Sequence, residues 1–458
     1  MDRRHPQGIR GRFFIIIEIT MSDTSQAIIE RFRAAYGKDI DLSLRPAYRD
    51  LLEKFGNPQD RLPPVFHVAG TNGKGSTCAF LRAMLESAGY KTHVYTSPHL
   101  VTFHERIRLA GQLISEEELV ELLTQAEKLA APGSVSYFEA WTAVAFAAFA
   151  RHSADFTILE TGLGGRLDAT NVVENPLATI ITRLSYDHRE YLGDTMDQIA
   201  REKAGIMRAS VPCFSAHQPD ALALRTLLEE AAKLGVPLSV GGKDWKVEER
   251  HEGLFYADAV HTYDLPKPAL LGQHQYQNAG LAIAALSVLP DPLPFQALAQ
   301  GLRKVEWQAR LQRLTTGSLV SLAPPGAEVW LDGGHNDSAG EVLAEQIERW
   351  QKEDGERPKP LYVVLGMLTT KVPTEFLSPF AKNIVQLRTV PLSHETLGYA
   401  AKALALEARK TGLLCVEAAE SPGDAFRNLA KLKTATPPRI LICGSLYLAG
   451  AVLAQLAG

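Results

Sequence analysis

Apolar and polar positions alternate along this chain in two successive blocks. In the first, short apolar, β-branched runs at residues 65–68, 93–95, 156–159 and 178–182 predict buried strands. Longer stretches at 77–88, 116–129, 137–150 and 197–207 read as helices. In 77–88, Phe80, Leu81, Met84, Leu85 and Ala88 share one face, and Gly89 supplies a stop. Strands alternating with helices predict a mostly parallel sheet covered on both faces. Residues 243–264 read instead as a β-hairpin elaborating that sheet.

The second block starts near Val305. Strands are expected at 329–332, 361–365, 384–390, 413–416 and 440–443, and helices at 338–351, 396–410, 422–433 and 446–456. The expected fold class is α/β: a mostly parallel sheet domain at 21–304, then a smaller, Rossmann-like doubly wound domain at 305–458. A cleft between two such domains is a preferred ligand location.

Composition narrows the function classes. Of 458 residues, 46% are hydrophobic and 22% charged, as in globular proteins. A formal net charge of −4 gives no support for a nucleic-acid surface. Cys78, Cys213, Cys415 and Cys443 lie far apart, which argues for a reducing, cytoplasmic setting and against structural zinc. No apolar run reaches the roughly 18 residues a membrane helix needs. Residues 1–20 are basic, then apolar at 13–17, and Glu18 ends the run without a cleavage site. They are expected to be a non-functional extension upstream of Met21; an extra strand or a tail is the alternative.

The segment after the first strand carries the strongest chemistry. It reads Gly70-Thr-Asn-Gly73-Lys74-Gly75-Ser76-Thr77. Its glycines allow a tight turn and close ligand approach. Lys74 can place an ammonium among phosphate oxygens, and Ser76 and Thr77 offer hydroxyls to magnesium. Backbone N–H groups at the following helix start would cradle phosphate. The alternative is a glycine-rich turn that binds nothing. The loop is shorter than the common P-loop and has a glycine after its lysine.

Other polar clusters are each open to two readings. Ser97 follows a strand, where it could reach magnesium or merely form a Ser-Pro turn. Arg106 and Arg108 suit a surface or an acidic substrate. Glu160 ends a strand beside a glycine-rich loop running to Asn171, a place for a magnesium ligand or a turn acid. His188 could hold a second metal or simply pack. Lys203 by spacing alone is a solvated helix lysine.

The loop resembles that of the ATP-dependent amide ligases that include the Mur ligases, and its Gly-Thr-Asn-Gly-Lys-Gly-Ser form is similar to the folate branch. With Thr96–Leu100, Glu160–Asn171, Asp187-His188, Arg201–Ile206, Asn278, Ala309-Arg310, Asp332-Gly-Gly-His335-Asn336, Leu365-Gly-Met367 and Cys443–Gly450, the motif order resembles the bacterial folylpolyglutamate synthase/dihydrofolate synthase family from about Asp39 onward.

That resemblance implies the following roles. ATP is a substrate and two magnesium ions serve it, with Ser97 and Glu160 at the first and His188 at the second. Gly73, Lys74, Gly75 and Ser76 hold phosphates; Asn278, Arg310, Asp332 and His335 contact ATP. Lys203 is carboxylated to a carbamate (N6-carboxylysine). Ser136, Tyr137, Phe138, Glu139, Leu167, Asp168, Ala169 and, by a looser match, Leu42, Ser43, Leu44 and Arg45 bind the pterin. Catalysis rests on Lys74, Lys203, His188 and Glu160.

Two departures stand out: Ala309 replaces the family's glycine before Arg310, and Asp332-Gly-Gly-His335-Asn336-Asp337 replaces Asp-x-Ala-His-Asn-Pro. The implied reaction joins L-glutamate to dihydropteroate, to a reduced folate, or to both, through an acyl phosphate. A monomer is expected, with no nucleic-acid or membrane partner. The competing readings are a Mur-type ligase for peptidoglycan precursors and a non-catalytic nucleotide-binding regulator.

Overall fold

Every residue of Val65–Ala69 is buried, and the burial is divided between two faces. Phe66 and Val68 pack into one core cluster, while Val65 and Ala69 join clusters on the opposite face. This is the environment of a central parallel strand, which explains the uninterrupted apolar run. The computed structural model describes residues 24–36, 46–393 and 397–457. The expected extension at 1–20 and the pterin-segment residues Leu42, Ser43, Leu44 and Arg45 fall outside that range.

The first sheet contains β1 (Val65–Ala69), β2 (Thr92–Tyr95), β3 (Ile107–Leu109), β4 (Gln112–Leu113), β5 (Phe156–Glu160), β6 (Ala178–Ile181), β7 (Cys213–Ser215) and β8 (Leu238–Val240). Their order is β4-β3-β2-β5-β1-β6-β7-β8. All neighbours are parallel except the β2–β3 and β3–β4 pairs at one edge. The helices Lys74–Ser87, Gln273–Leu286 and Phe295–Lys304 cover one face. Glu116–Leu129 and Tyr137–Phe149 cover the other with two helices that sequence periodicity did not reveal, Ser25–Tyr36 and Pro46–Lys54. Tyr137–Phe149 is apolar nearly all round and correspondingly buried.

The expected hairpin at 243–264 is a three-stranded antiparallel sheet, β9 (Trp245–Arg250), β10 (Gly253–Asp258) and β11 (Thr262–Pro266). Its inner residues Trp245, Val247, Leu254 and Tyr256 extend the first core.

The second sheet contains β12 (Gln312–Leu314), β13 (Glu328–Leu331), β14 (Leu361–Leu365), β15 (Ile384–Thr389), β16 (Val416–Ala418) and β17 (Arg439–Cys443), in the order β12-β13-β17-β14-β15-β16. Only β12 is antiparallel. Alternate residues feed two cores: Tyr362 and Val364 one, Leu361, Val363 and Leu365 the other. This is the doubly wound arrangement expected. Several boundaries differ by a few residues, among them the helices Lys74–Ser87, Asp337–Asp354 and Pro422–Ala430. β16 falls later than the run at 413–416, because Leu414 is 93% exposed and only Val416 of the strand packs inward. The helix expected at 197–207 spans Met196–Ala204, ending at Gly205. The one expected at 396–410 spans Ala401–Arg409, and Thr396 lies outside the described residues.

Candidate functional site

The carboxyl ends of both parallel sheets meet at one cleft, where open α/β sheets bind ligands. The first sheet contributes the loop after β1, Ser97 after β2, Glu160 at the end of β5 and Arg183 after β6. The second contributes Asp332 through Asn336 after β13 and Leu446 after β17. The cleft measures about 460 Å³.

Backbone geometry shows why the loop needs glycine. Gly73 has φ +93°, and a Cβ there would lie 2.4 Å from the Asn278 Oδ1. A Cβ on Gly75 would lie 2.6 Å from the Trp307 ring, which the segment joining the domains presses against the loop. The Lys74 ammonium is folded back, donating to the Gly70 and Thr71 carbonyls at 3.2 Å each. In the next helical turn the Ser76 Oγ and Thr77 Oγ1 are buried with no partner. Such hydroxyls carry a desolvation cost that a ligand would offset.

Glu160 is 4% exposed, and its Oε2 accepts from the Ser97 N–H at 3.3 Å. Burial raises its pKa, while Lys74 and the Ser97 N–H oppose the rise. His188, in the left-handed region at φ 50°, has its pKa lowered to about 4 by burial and by Lys371, Lys203 and Lys74, against the pull of Asp187. It is therefore a neutral imidazole, the form that ligates metals. Ser76, Ser97, Glu160 and His188 all line the cleft. Among the described residues no three His, Cys, Asp or Glu side chains form a protein-only cage. Hydroxyls, one carboxylate and one imidazole beside a phosphate-shaped loop fit magnesium, which keeps waters and shares phosphate oxygens.

Lys203 is not a solvated lysine. It is 3% exposed, and burial followed by repulsion from Lys74 lowers its pKa to about 7. Its Nζ has no hydrogen-bond partner among the described residues. Asp187 runs the other way: burial alone would raise its pKa, but His188, Lys371 and His335 outweigh it and hold it well below the usual carboxylate range. Lys371 reaches Asp187 from the second domain as a direct ion pair.

A second cavity of about 360 Å³ adjoins the cleft and shares Ser97, Pro98, Gly162, Leu163, His188, His335 and Leu446 with it. Ser136, Tyr137, Phe138, Glu139, Leu167, Asp168 and Ala169 all line it. Ser136 and Glu139 form a capping box, with Ser136 N–H donating to Glu139 Oε2 at 2.6 Å and Glu139 N–H to Ser136 Oγ at 3.2 Å. Phe138 lies on Gly162, where a Cβ would come within 2.4 Å of its ring. Asp168 is 3% exposed; its carboxylate accepts from the Gly162, Leu163 and Thr170 N–H groups, each at 2.9 Å, and from the Thr170 hydroxyl at 2.6 Å. Since that hydroxyl donates to Asp168, the buried His67 Nε2 must donate to Thr170 Oγ1, at 2.8 Å. Asp168 thus shapes the loop from within. A surface depression of about 520 Å³ between β10, β11 and the helix Phe295–Lys304 shares no residue with either cavity.

Asn278, Arg310, Asp332 and His335 all line the cleft. Asp332 uses both oxygens internally, accepting from Leu311 N–H at 2.8 Å and Gly334 N–H at 2.7 Å. Arg310 stands between Ala309 and Leu311, both left-handed at φ 55° and 42°. The two arginines after Ser97 separate. Arg106 is 8% exposed, lines the second cavity and donates through Nε to His99 Nδ1 at 2.9 Å, so it is no surface charge. Arg108 stays on β3 and does not line it. Sequence reasoning missed Lys371, Trp307, Asn72 and Asn336 as site-shaping residues. Asn72 and Asn336 lie inside quoted motifs; Lys371 follows one by four residues; Trp307 carried no signal.

Comparison with known proteins agrees with this geometry. Residues 68–286 match the Mur ligase middle domain and residues 317–455 the dihydrofolate synthetase C-terminal domain. The chain is 36% identical over 420 residues to the dihydrofolate synthase/folylpolyglutamate synthase of Bacillus subtilis, spanning 87% of this chain and 91% of that one. Escherichia coli FolC in complex with DHPP and ADP superposes with a TM-score of 0.83 at 29% identity, covering 94% of this chain and 97% of that one. A bifunctional folylpolyglutamate synthase/dihydrofolate synthase with Mn, AMPPNP and L-glutamate bound gives a TM-score of 0.82 at 29% identity, covering 95% and 99%. The chain belongs to the dihydrofolate synthase/folylpolyglutamate synthase family of Mur-type ligases.

Proposed function

We propose that this protein is an ATP-dependent ligase that joins the α-amine of L-glutamate to the carboxylate of dihydropteroate, of a reduced folate, or of both. The observation that carries this reading is the shared wall of the two cavities. A pocket floored by Phe138 and Leu167 opens at Ser97, His188 and His335 into the cleft that holds Lys74. A flat, apolar acid seated in the first would direct its carboxylate toward a γ-phosphate seated in the second.

The carboxylate oxygen attacks the γ-phosphorus, ADP leaves, and an acyl phosphate forms. The glutamate amine then attacks the acyl carbon, phosphate departs with the original carboxylate oxygen, and the amine loses a proton. Lys74, released from the Gly70 and Thr71 carbonyls, neutralises phosphate charge. Gly73, Gly75 and Ser76 present the loop to the phosphates. Asn278, Arg310, Asp332 and His335 hold the nucleotide from the helix Gln273–Leu286 and the second domain. Magnesium, held at one site by Ser97 and Glu160 and at another by His188, would neutralise charge on the phosphates.

Lys203 is read as the carbamate. With a pKa near 7, roughly half of its amine is unprotonated at neutral pH and can attack carbon dioxide, forming a C–N bond and releasing a proton. The product puts an anion where an ammonium would repel Lys74 and the metal. The division at 304/305 puts these roles on two domains that can close and exclude water. The test is a substrate panel of dihydropteroate, tetrahydrofolate and a nucleotide-linked muramyl peptide, each with ATP and glutamate, with amide product identified by mass. Product from a pterin acid is expected; product only from the muramyl peptide overturns the reading.

A further inference from the structure

Asn336 has every hydrogen-bonding position of its side chain in use. It is 9% exposed and caps the helix Asp337–Asp354. Its Oδ1 accepts from the Ala339 N–H at 3.0 Å and from the Asn72 Nδ2 at 3.3 Å. Its Nδ2 donates to the Asn72 Oδ1 at 3.2 Å and to the Asp187 Oδ2 at 3.0 Å. One amide therefore joins a second-domain helix, the nucleotide loop and the carboxylate next to His188.

The partners are themselves held. The N–H groups of Thr71 and Asn72 both donate to the Arg183 carbonyl at 3.2 Å, and the Asn72 Nδ2 also reaches the Ser185 Oγ at 3.2 Å. Asp187 is paired with Lys371, and Arg183 with Glu341 at 3.0 Å along the same edge. Asparagine is the side chain that fits: the cap needs an acceptor, Asp187 needs a donor, and Asn72 needs one of each. Aspartate keeps the two accepted bonds but can donate to neither Asn72 nor Asp187, and serine is too short to span.

We propose that Asn336 is the positioning residue that locks the second domain onto the nucleotide loop in the closed state. Through Asn72 and Asp187 it keeps the second-domain groups Arg310 and His335 over the cleft and keeps water from the activated acid. The kinetic consequence rests on the ligase reading; the closure itself does not.

The test is Asn336→Asp. It keeps the shape and an equally good helix cap, so the fold is retained. It removes both donated bonds and sets a second carboxylate against Asp187. Amide formation should slow by about ten- to hundredfold, as for loss of hydrogen bonds to charged groups. The ratio of phosphate released to amide formed should rise above one, because the acyl phosphate meets water. Small-angle scattering with a non-hydrolysable ATP analogue should give a larger radius of gyration than the parent. Asn336→Ser, which keeps a cap without new charge, should shift all three in the same direction by less. A variant with the parent's rate, coupling ratio and radius overturns the proposal. If Asn336→Asp does not fold, Asn72→Ala removes the same bridge from the loop side and must reproduce the uncoupling. If the parent forms no amide, the ligase reading fails while the scattering comparison still decides the closure.

Discussion

The two domains meet at one cleft but arrive differently prepared. On the first-domain side polar demand is unmet. Ser76 and Thr77 hydroxyls have no partner, Lys74 is turned onto its own loop, and Glu160 and Lys203 are buried ionisable groups. On the second-domain side most of the corresponding groups are already paired, Ser338 Oγ being the exception. Asp332 accepts two backbone N–H groups, the His335 Nδ1 meets the Gly333 carbonyl at 2.8 Å, and Asn336 is saturated. The first domain is therefore a receptor that lacks its ligand's charges. The second presents groups already held by their own hydrogen bonds, which must be brought to the right place. Changes to the first should strike turnover; changes to the second should strike coupling and closure.

The largest expected effect tests the receptor side. Lys74→Ala should lower the rate of amide formation by on the order of a thousandfold, the upper range for removing one donor to developing charge. Thermal stability should stay near the parent's, since Lys74 packs on the surface of its own loop. Near-normal turnover would remove the loop from the chemistry.

Lys203→Ala should follow at up to roughly a hundredfold, because the proposed carbamate and its negative charge are lost. Short carboxylic acids added to this variant should restore part of the activity, and Lys203→Glu should restore it incompletely, its carboxylate being shorter. Turnover at the parent rate returns Lys203 to an unmodified buried lysine.

The third test separates the two cavities. Phe138→Ala should raise KM for the pterin substrate by about tenfold, as expected for losing one well-packed aromatic contact. KM for ATP should be unaffected. Equal rises in both would mean the cavities are not distinct subsites.

The smallest effect is a pH dependence. The folded-state pKa of Lys203, about 7, lies below its ordinary 10.5. Between those values the unfolded chain holds the proton and the folded chain does not, so raising pH stabilises the fold. The penalty is fully present below about pH 7 and gone above about pH 10.5. In denaturation with carbon dioxide excluded, the parent should gain on Lys203→Met across that window, by at most about 1.4 kcal/mol per pH unit for one proton. A flat difference would show that Lys203 stays protonated.

What was legible in the sequence follows the same division. The loop at Gly70–Ser76 is contiguous, so its strand, glycines, lysine and hydroxyls could be read in one pass. The central strands and the doubly wound second domain were equally readable, because burial on both faces leaves unbroken apolar runs. Lys203 was not: its pattern is that of a surface lysine, and only packing between the helix Met196–Ala204 and the cleft buries it. Arg106 was likewise hidden: it lies over the Phe103 ring and donates to His99, contacts that its sequence neighbourhood does not announce. Asn72, Asn336 and Lys371 are joined across more than 180 residues, and no local pattern encodes such a contact. The helices Ser25–Tyr36 and Pro46–Lys54 were missed because their apolar faces are short and owe their order to the core they cover.

The most direct measurement follows one oxygen atom. Dihydropteroate labelled with oxygen-18 in its carboxylate is turned over with ATP and glutamate, and the released phosphate is analysed by mass. A ligase in which the acid crosses the shared wall to the γ-phosphate transfers one labelled oxygen into each phosphate formed with amide. Amide formed with phosphate free of label, the lost oxygen appearing in AMP or in water instead, would contradict phosphorylation of the carboxylate in this cleft.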